Sequence, residues 1–258
     1  MKSDPSTVSK DLTAASDVLD NAAQAILDLK VSLLSDQANV FTYAVDCLAS
    51  VAGRVILTGM GKSGYIARKI AATLASTGTL ASYVHPAEAA HGDLGMISAN
   101  DAVVAISNSG ETAELNEVIN YTKRFAIPLI GLTSKRESTL GERGDYVLFL
   151  PQHREACPIG LAPTTSTTTT LASGDAVPMA LLQRKGFTET DFSVFHPGGK
   201  LGRQFVLVRE IMHPLEAIPL AAPDTLMSEI VVSIPSGRFG CCGVMNSNGT
   251  LIGIITDG

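Results

Sequence analysis

The sequence is most informative in what it lacks. No stretch is apolar over the ~18 residues that a membrane-spanning helix needs, so we expect no membrane partner. The first residues, Met1-Lys2-Ser3-Asp4-Pro5, lack the apolar run of an export signal, which predicts a cytoplasmic protein. Basic residues are scarce, since 19 Lys and Arg stand against 25 Asp and Glu. The resulting net charge of −6 disfavours a nucleic-acid partner.

Cysteine is also rare, and its spacing excludes a CxxC motif and a disulfide between the two adjacent cysteines. The four cysteines are Cys47, Cys157, Cys241 and Cys242, with no CxxC spacing among them. The adjacent pair cannot form an ordinary disulfide, because neighbouring side chains do not reach the required geometry. We therefore expect free thiols in a reducing compartment.

The hydrophobic pattern predicts two helices followed by alternating strands and helices. Apolar residues recur at helical spacing over 9–36, and a second helical stretch over 40–51 is expected to end with Gly53 as its C-cap. Short apolar runs then predict five strands, over 54–58, 81–84, 102–106, 128–133 and 146–150. This order predicts an α/β fold with a doubly wound parallel five-stranded sheet, which binds ligands at the carboxyl ends of its strands.

Two turns rich in glycine and hydroxyl groups each follow a predicted strand and precede a predicted helix. They are Thr58-Gly59-Met60-Gly61-Lys62-Ser63-Gly64 and Ser107-Asn108-Ser109-Gly110-Glu111-Thr112. A helix N-terminus presents unpaired N–H groups and the positive end of the helix dipole, which favour an anion. The three hydroxyls of the second turn suit the three oxygens of a phosphate monoester. Together the turns predict one phosphorylated ligand held between them.

Two nucleotide-binding motifs resemble the first turn only in part. Gly59, Gly61 and Gly64 have the spacing of the dinucleotide fingerprint, but no acidic residue stands at the end of the second strand before Glu88. The phosphate loop of nucleotide hydrolases requires a glycine where Ile56 stands inside the strand. The first motif is therefore disfavoured and the second excluded.

A run of hydroxyl residues after Pro163 is expected to begin another helix. Thr164-Thr165-Ser166-Thr167-Thr168-Thr169-Thr170 precedes apolar residues at helical spacing, which favours a helix N-terminus over a linker. Pro178 is expected to kink this helix. A boundary is predicted near residues 198–208, and the different pattern beyond it predicts a second, smaller module, interpreted as incomplete.

The longer motifs resemble a family of sugar-phosphate enzymes. The second turn is similar to the phosphosugar-binding motif of the sugar isomerase (SIS) fold, and residues 210–212 and 253–258 resemble a CBS module. The resemblance implies a three-layer αβα SIS domain over 1–205, with its N-terminal helices at 9–52, and a partial first CBS module over 206–258. The matches to the bacterial arabinose-5-phosphate isomerases are the first turn, His85-Pro86-Ala87-Glu88-Ala89-Ala90-His91-Gly92-Asp93-Leu94-Gly95, Pro163-Thr164-Thr165-Ser166-Thr167-Thr168 and Phe195-His196-Pro197-Gly198-Gly199-Lys200-Leu201-Gly202.

The resemblance also implies a reaction, an assembly and a set of site residues. That family interconverts D-ribulose 5-phosphate and D-arabinose 5-phosphate, which feeds synthesis of the acid sugar Kdo of lipopolysaccharide or capsule. It implies a homotetramer with sites between subunits, a sugar phosphate as ligand, and a nucleotide as a candidate ligand of a complete CBS pair. The matched catalytic positions are Lys62, Glu114, Glu155 and His196. The expected substrate contacts are Gly61, Ser63, Gly78, Thr79, His85, His91, Ser107, Ser109 and Thr112, and His91 is also linked to zinc.

The chemistry of such a reaction assigns a role to each residue. Hydrogen moves between C1 and C2 through an enediol, which needs a base, an electrophile and ring opening but no redox cofactor. Glu155, just beyond the fifth strand, is the leading base, and Lys62 would stabilise negative charge. Glu114 would orient Lys62 or His196, or only complement the helix dipole. His196 and His91 compete for the remaining proton transfer. We expect any zinc at His91 to be adventitious or inhibitory.

Two alternative functions stay open at this point. The same fold serves as a phosphosugar sensor in regulators, but the acidic N-terminal helix shows no basic DNA-recognition segment. Another isomerase of the fold, acting on a hexulose 6-phosphate or an aminosugar, is the second alternative. The C-terminal tail and the loop around His196 favour the pentose enzyme.

Overall fold

The chain folds into two compact units, one up to His196 and one beyond it. The structure, a computed structural model, describes residues 5–196 and 207–257. The predicted boundary near 198–208 and the motif residues 197–202 fall almost wholly outside the described residues. Within the described ranges, no helix combines the length and the apolar character needed to span a bilayer.

The first unit is built on a five-stranded sheet in which every pairing is parallel. The strand order is β2-β1-β3-β4-β5. The chain adds β2 on one side of β1 and then β3, β4 and β5 on the other side. The carboxyl ends of β1 and β3 are therefore neighbours. Gly59 pairs with Ile106, and the two glycine- and hydroxyl-rich turns therefore leave the sheet side by side. The strands are β1 Val55–Gly59, β2 Ala81–Tyr83, β3 Ala102–Ile106, β4 Leu129–Thr133 and β5 Tyr146–Phe149.

Helices cover both faces of this sheet, which confirms the predicted αβα layers. One face packs its apolar side chains against α2, α3 and α7, and the other against α4 and α5. The helices of the first unit are α1 Pro5–Leu34, α2 Ala38–Ser50, α3 Gly61–Ser76, α4 Pro86–Ala89, α5 Asn116–Arg124, α6 Thr139–Arg143, α7 Thr165–Lys185 and α8 Glu189–Phe195, with 3₁₀ turns at Asp93–Met96 and Ala113–Leu115.

The predicted end of the second helix was wrong. Helix α2 ends at Ser50, and its C-cap is Val51 in extended conformation, so Gly53 caps nothing. A Cβ at Gly53 would stand 2.3 Å from Asp101 Oδ1, so glycine is needed there for close approach to the next loop. The first helix also begins earlier and ends earlier than predicted, at Pro5 and Leu34.

The hydroxyl-rich run begins a helix, as predicted. Thr164 is the N-cap of α7, which continues through the buried Pro178 for seven further residues to Lys185. Helix α7 packs closely on α3, because a Cβ at Gly174 would lie 2.1 Å from Ile70 Cδ1. Both helices begin at the carboxyl edge of the sheet, the edge where the carboxyl ends of the strands lie.

The second unit has a small mixed sheet of its own. Strand β7 Cys241–Met245 pairs in parallel with β6 Leu220–Ala221 and antiparallel with β8 Leu251–Thr256. Helices α9 Val208–Ile211 and α10 Met227–Gly237 and a 3₁₀ turn at Leu215–Ala217 complete its described part. Ile230, Ile234 and Cys242 are buried together. The assignment to a CBS module stays a prediction.

Candidate active site

A cavity opens at the carboxyl edge of the parallel sheet, where the sequence predicted the ligand. Its volume is about 360 Å³. The predicted residues Lys62, Ser63 and Glu155 all line it, from two separate segments of the chain. The other lining residues are Met60, Asn108, Leu161, Pro163, Ser166, Thr167 and Thr170.

The first turn is shaped by two glycines and presents a free lysine. Gly61 has φ of +56°, which favours glycine, and a Cβ at Gly64 would lie 2.6 Å from the Gly59 carbonyl oxygen. This geometry starts α3 directly behind β1 and exposes Lys62 in the first helical turn. The Lys62 ammonium makes no hydrogen bond or ion pair with any residue that the structure describes. It is therefore available to an anionic ligand at a helix N-terminus.

Glu155 is tied to the start of α7. Its Oε2 accepts hydrogen bonds from Thr164 N at 2.6 Å, Thr164 Oγ1 at 3.0 Å and Ser166 N at 3.4 Å. Burial raises the pKa of Glu155, but hydrogen bonds from Ser166 and Thr164 outweigh burial, and the net pKa lies below the ordinary value. The carboxylate is consequently ionised at neutral pH, and it lines the same cavity as Lys62.

The hydroxyls of the second turn bond mainly to one another. Ser107, 3 % exposed, lies 2.8 Å from Thr112 Oγ1 and 3.5 Å from Ser109 Oγ, and its Oγ accepts from Gly110 N at 3.0 Å. Gly110 has φ of +70°, and a Cβ there would lie 2.0 Å from Ser138 Oγ. The turn is thus a preformed loop beside the cavity, although of its residues only Asn108 lines the cavity itself.

His85 lies at the same edge, beside the first turn. It lines a smaller cavity of about 110 Å³ together with Gly61 and Arg68. Its Nδ1 is buried without a hydrogen-bond partner among the described residues, which marks a polar atom available to a ligand or a water. The Arg68 guanidinium lies 4.3 Å from the centre of the Tyr83 ring in the wall of this cavity.

Two other predicted residues reach this edge without lining the main cavity. Glu114 is exposed in the 3₁₀ turn before α5, and it pairs with neither Lys62 nor His196. His91 is exposed after α4, where its backbone N–H donates to Glu88 O at 2.9 Å. Across the described ranges, no three His, Cys, Asp or Glu side chains gather as a metal site would require.

Gly78, Thr79 and His196 lie at the opposite, amino edge of the sheet. Lys185, at the end of α7, donates to Thr79 Oγ1 at 2.8 Å, and the Phe187 ring lies where a Cβ of Gly78 would stand. Phe187 stacks on Phe195, with ring centres 6.1 Å apart, and His196 follows directly. A strand of five residues separates the edges by about 16 Å. Within this chain, these three residues therefore do not reach the cavity.

His196 is held by its own helix. Its ring stacks on Phe192 with centres 3.8 Å apart, and its Nδ1 lies 2.9 Å from Phe192 O. This leaves Nε2 as the nitrogen that can meet a ligand.

Sequence reasoning missed part of the cavity wall. Asn108 belongs to a motif that was chosen for its hydroxyls, and Ser166, Thr167 and Thr170 lie on α7. The signal for these residues was present, since a hydroxyl-rich first turn of a helix after the fifth strand must begin at the carboxyl edge.

Known proteins share this architecture and much of the sequence. Residues 48–180 match the family model of the SIS domain. The Arabinose 5-phosphate isomerase KdsD of Escherichia coli strain K12 is 46 % identical over 219 residues, covering 84 % of this chain and 67 % of that protein. KdsD of Pseudomonas aeruginosa is 46 % identical over 228 residues, covering 88 % and 70 %. A solved structure of E. coli CFT073 c3406 in complex with A5P superposes with a TM-score of 0.69 at 40 % identity, covering 76 % of this chain and all of that one.

The match extends over the fold and over the segments that build the cavity. The family model includes β1 to β5, both turns and the first part of α7. The chain therefore belongs to the SIS-domain family, and within it to the group of the arabinose 5-phosphate isomerases.

Proposed function

We propose that this protein is an isomerase that interconverts D-ribulose 5-phosphate and D-arabinose 5-phosphate through an enediol. The observation that carries the proposal is the single cavity that joins the unpaired Lys62 to the ionised Glu155. Identity of about 46 % to proteins named for this reaction supports the same substrate. The reaction requires a cation and a base facing one sugar, and the cavity provides both.

The two turns bind the phosphate end of the sugar. Ser63 and Lys62 face the cavity from the N-terminus of α3, and the Ser107–Thr112 loop adjoins it through Asn108. Backbone N–H groups, hydroxyls and the helix dipole at these turns all favour a dianion. Lys62 itself is assigned to the oxyanion that forms as the enediol develops, because no side chain of the described structure compensates its charge.

Glu155 removes the proton from the carbon next to the carbonyl. Its three hydrogen bonds converge on Oε2, so Oε1 is the oxygen that turns toward the ligand. The low pKa makes it a weaker base than an ordinary glutamate but keeps it ionised whenever substrate binds. The hydrogen bonds to α7 hold the carboxylate in one orientation, and this offsets part of the rate that its lower basicity costs.

The second proton transfer and the opening of the sugar ring belong to histidine. His91 approaches from the carboxyl edge of the same protomer, and His196 from a neighbouring protomer. The placement of His196, Gly78 and Thr79 at the amino edge supports a site shared between subunits, as in the homotetramer that we propose.

The mechanism requires no cofactor, because proton transfers between carbon and oxygen need only acids and bases. Zinc, where it binds His91, is inhibitory in this proposal. Added zinc is therefore expected to lower the turnover of the native protein more than that of His91→Ala. A chelator is expected to leave native turnover unchanged, and loss of turnover that metal restores would contradict the proposal.

Three further assignments complete the proposal. We place the protein in the cytoplasm, supported by four cysteines that are free thiols, and its product in the route to Kdo. The second unit, as part of a CBS pair, would bind a nucleotide.

The test supplies D-ribulose 5-phosphate to the full chain and follows D-arabinose 5-phosphate by NMR in D₂O. The native protein is expected to form product with deuterium at C2, and Glu155→Gln to lose about 100-fold to 10,000-fold in kcat while still binding substrate. Asp145→Asn is the matched control, because Asp145 likewise accepts from a backbone amide, Leu129 N at 2.8 Å, outside the cavity. Binding without turnover by the native protein would favour the sensor instead.

A further inference from the structure

Gln37, in the turn between α1 and α2, makes a two-sided contact with the last residue of β5. Its side chain is 3 % exposed. Oε1 accepts from Phe149 N at 2.6 Å, and Nε2 donates to Phe149 O at 2.8 Å. Nε2 also donates to Ser32 Oγ at 2.7 Å, so both polar atoms of the side-chain amide are hydrogen-bonded.

This contact replaces a strand pairing at the edge of the sheet. β5 pairs with β4 on one side and is the edge strand on the other. The amide of Gln37 supplies one donor and one acceptor to the same residue, as a neighbouring strand would. It thereby fixes Phe149 at the point where the chain leaves β5 for the loop that carries Glu155.

The loop from Phe149 to Glu155 is held at successive positions. Leu150 N donates to Thr133 O at 2.9 Å, and Gln152 Nε2 donates to Ser134 O at 2.9 Å. His153 Nε2 lies 3.0 Å from Asp28 Oδ2 on α1. The chain is therefore held from Phe149 to His153, and Glu155 follows two residues after this segment.

We propose that Gln37 is a positioning residue for Glu155. It holds the edge of β5, and through the loop after β5 it sets where the Glu155 carboxylate stands in the cavity. The role in turnover rests on the proposed function, whereas the role in holding the loop does not. An apolar side chain of the same length would fill the space but leave the N–H and C=O of Phe149 unpaired.

The test compares Gln37→Met with a variant of Asp101, a similarly buried side chain that accepts backbone hydrogen bonds at the amino edge of the sheet. Asp101, 2 % exposed, accepts from Arg54 N and Ser98 N, both at 2.7 Å, far from the cavity. Gln37→Met is expected to speed hydrogen exchange of the amides in 150–155 about tenfold. It should also lower kcat about tenfold while KM changes less than about twofold. Asp101→Ala is expected to speed exchange near 54 and 98 and to leave kcat unchanged.

Two outcomes would overturn the proposal. One is a folded Gln37→Met protein with native exchange in 150–155, and the other is an equal loss of kcat in Asp101→Ala. Ser32→Ala removes the third bond to the amide, together with the bond of 2.9 Å that Ser32 Oγ donates to Asp36 Oδ1, and keeps the test decisive if Gln37→Met does not fold. It is expected to speed exchange in 150–155 about twofold, and native exchange rates there would contradict the proposal. If the native protein turns over no pentose phosphate, the proposed function fails, and the exchange rates alone decide the role of Gln37.

Discussion

Glu155 Oε2 and Thr164 N are joined by a hydrogen bond of 2.6 Å. The bond closes the loop between β5 and α7 and places a carboxylate at the positive end of a helix dipole. The same residue is therefore both an N-terminal partner of α7 and the proposed base. Its environment makes it ionised and rigid, so that its chemistry and its structural contribution both depend on one charge.

The charge on Glu155 is expected to give stability that depends on pH. The pKa of Glu155 is lowered in the folded state, so its contribution is present above the unfolded pKa and is lost as the pH falls through the folded pKa. Denaturant unfolding of the native protein and of Glu155→Gln should differ most near neutral pH and converge in acid. A difference that grows on acidification would show that the carboxylate is not stabilised in this way. The pH at which kcat/KM falls on the acid side should likewise lie below the ordinary pKa range of glutamate.

Lys62 is expected to contribute to substrate binding and turnover and not to the stability of the fold. It is exposed and unpaired within the described structure, so Lys62→Met should change the free energy of unfolding by less than about 0.5 kcal/mol. Loss of its charge should lower kcat/KM about 100-fold. Lys69→Met is the control on the same helix, because Lys69 Nζ lies 2.7 Å from Asp175 Oδ1, outside the cavity. Equal losses of activity in the two variants would argue against a direct role of Lys62.

A site shared between subunits predicts complementation between inactive variants. Lys62→Ala and His196→Ala each damage one half of a site whose halves lie at opposite edges of the sheet. Co-expressed and purified as mixed oligomers, they should regain about a quarter of native activity, because random mixing leaves that share of sites intact. Mixed oligomers that stay inactive would place both residues in the same half of the site, whereas native activity of His196→Ala alone would exclude His196 from the site.

Gly110 is expected to be intolerant of even a methyl group. Its positive φ and its contact with Ser138 predict that Gly110→Ala costs about 1–3 kcal/mol of unfolding free energy. Gly160→Ala separates the two causes, since Gly160 has φ of +68° with nothing within 4 Å of its Cβ position. It should cost only about 1 kcal/mol, the backbone share alone. A Gly160 variant as damaged as the Gly110 variant would remove the steric argument.

The parallel sheet could be predicted because each strand is a short apolar run that ends in a turn. The start of α7 could be predicted because threonines precede apolar residues at helical spacing. The cap formed by Glu155 could not, since nothing local distinguishes a loop glutamate that reaches a helix start nine residues away. The separation of His196 from Lys62 was likewise hidden, because motifs along one chain do not state which edge of the sheet they meet. Gln37 reads as an ordinary turn residue until Phe149 is seen beside it.

The close contact between Gly174 on α7 and Ile70 on α3, called the seam below, has a consequence for the width of the cavity. Lys62 and Ser166 stand in the first turns of the two helices that meet at this seam. The seam lies about two turns further along each helix, and it sets how far apart the two helix starts can stand. The width of the cavity between the two helix starts is thus determined in the interior, and a bulkier residue at 174 is expected to widen it without altering any group that lines it.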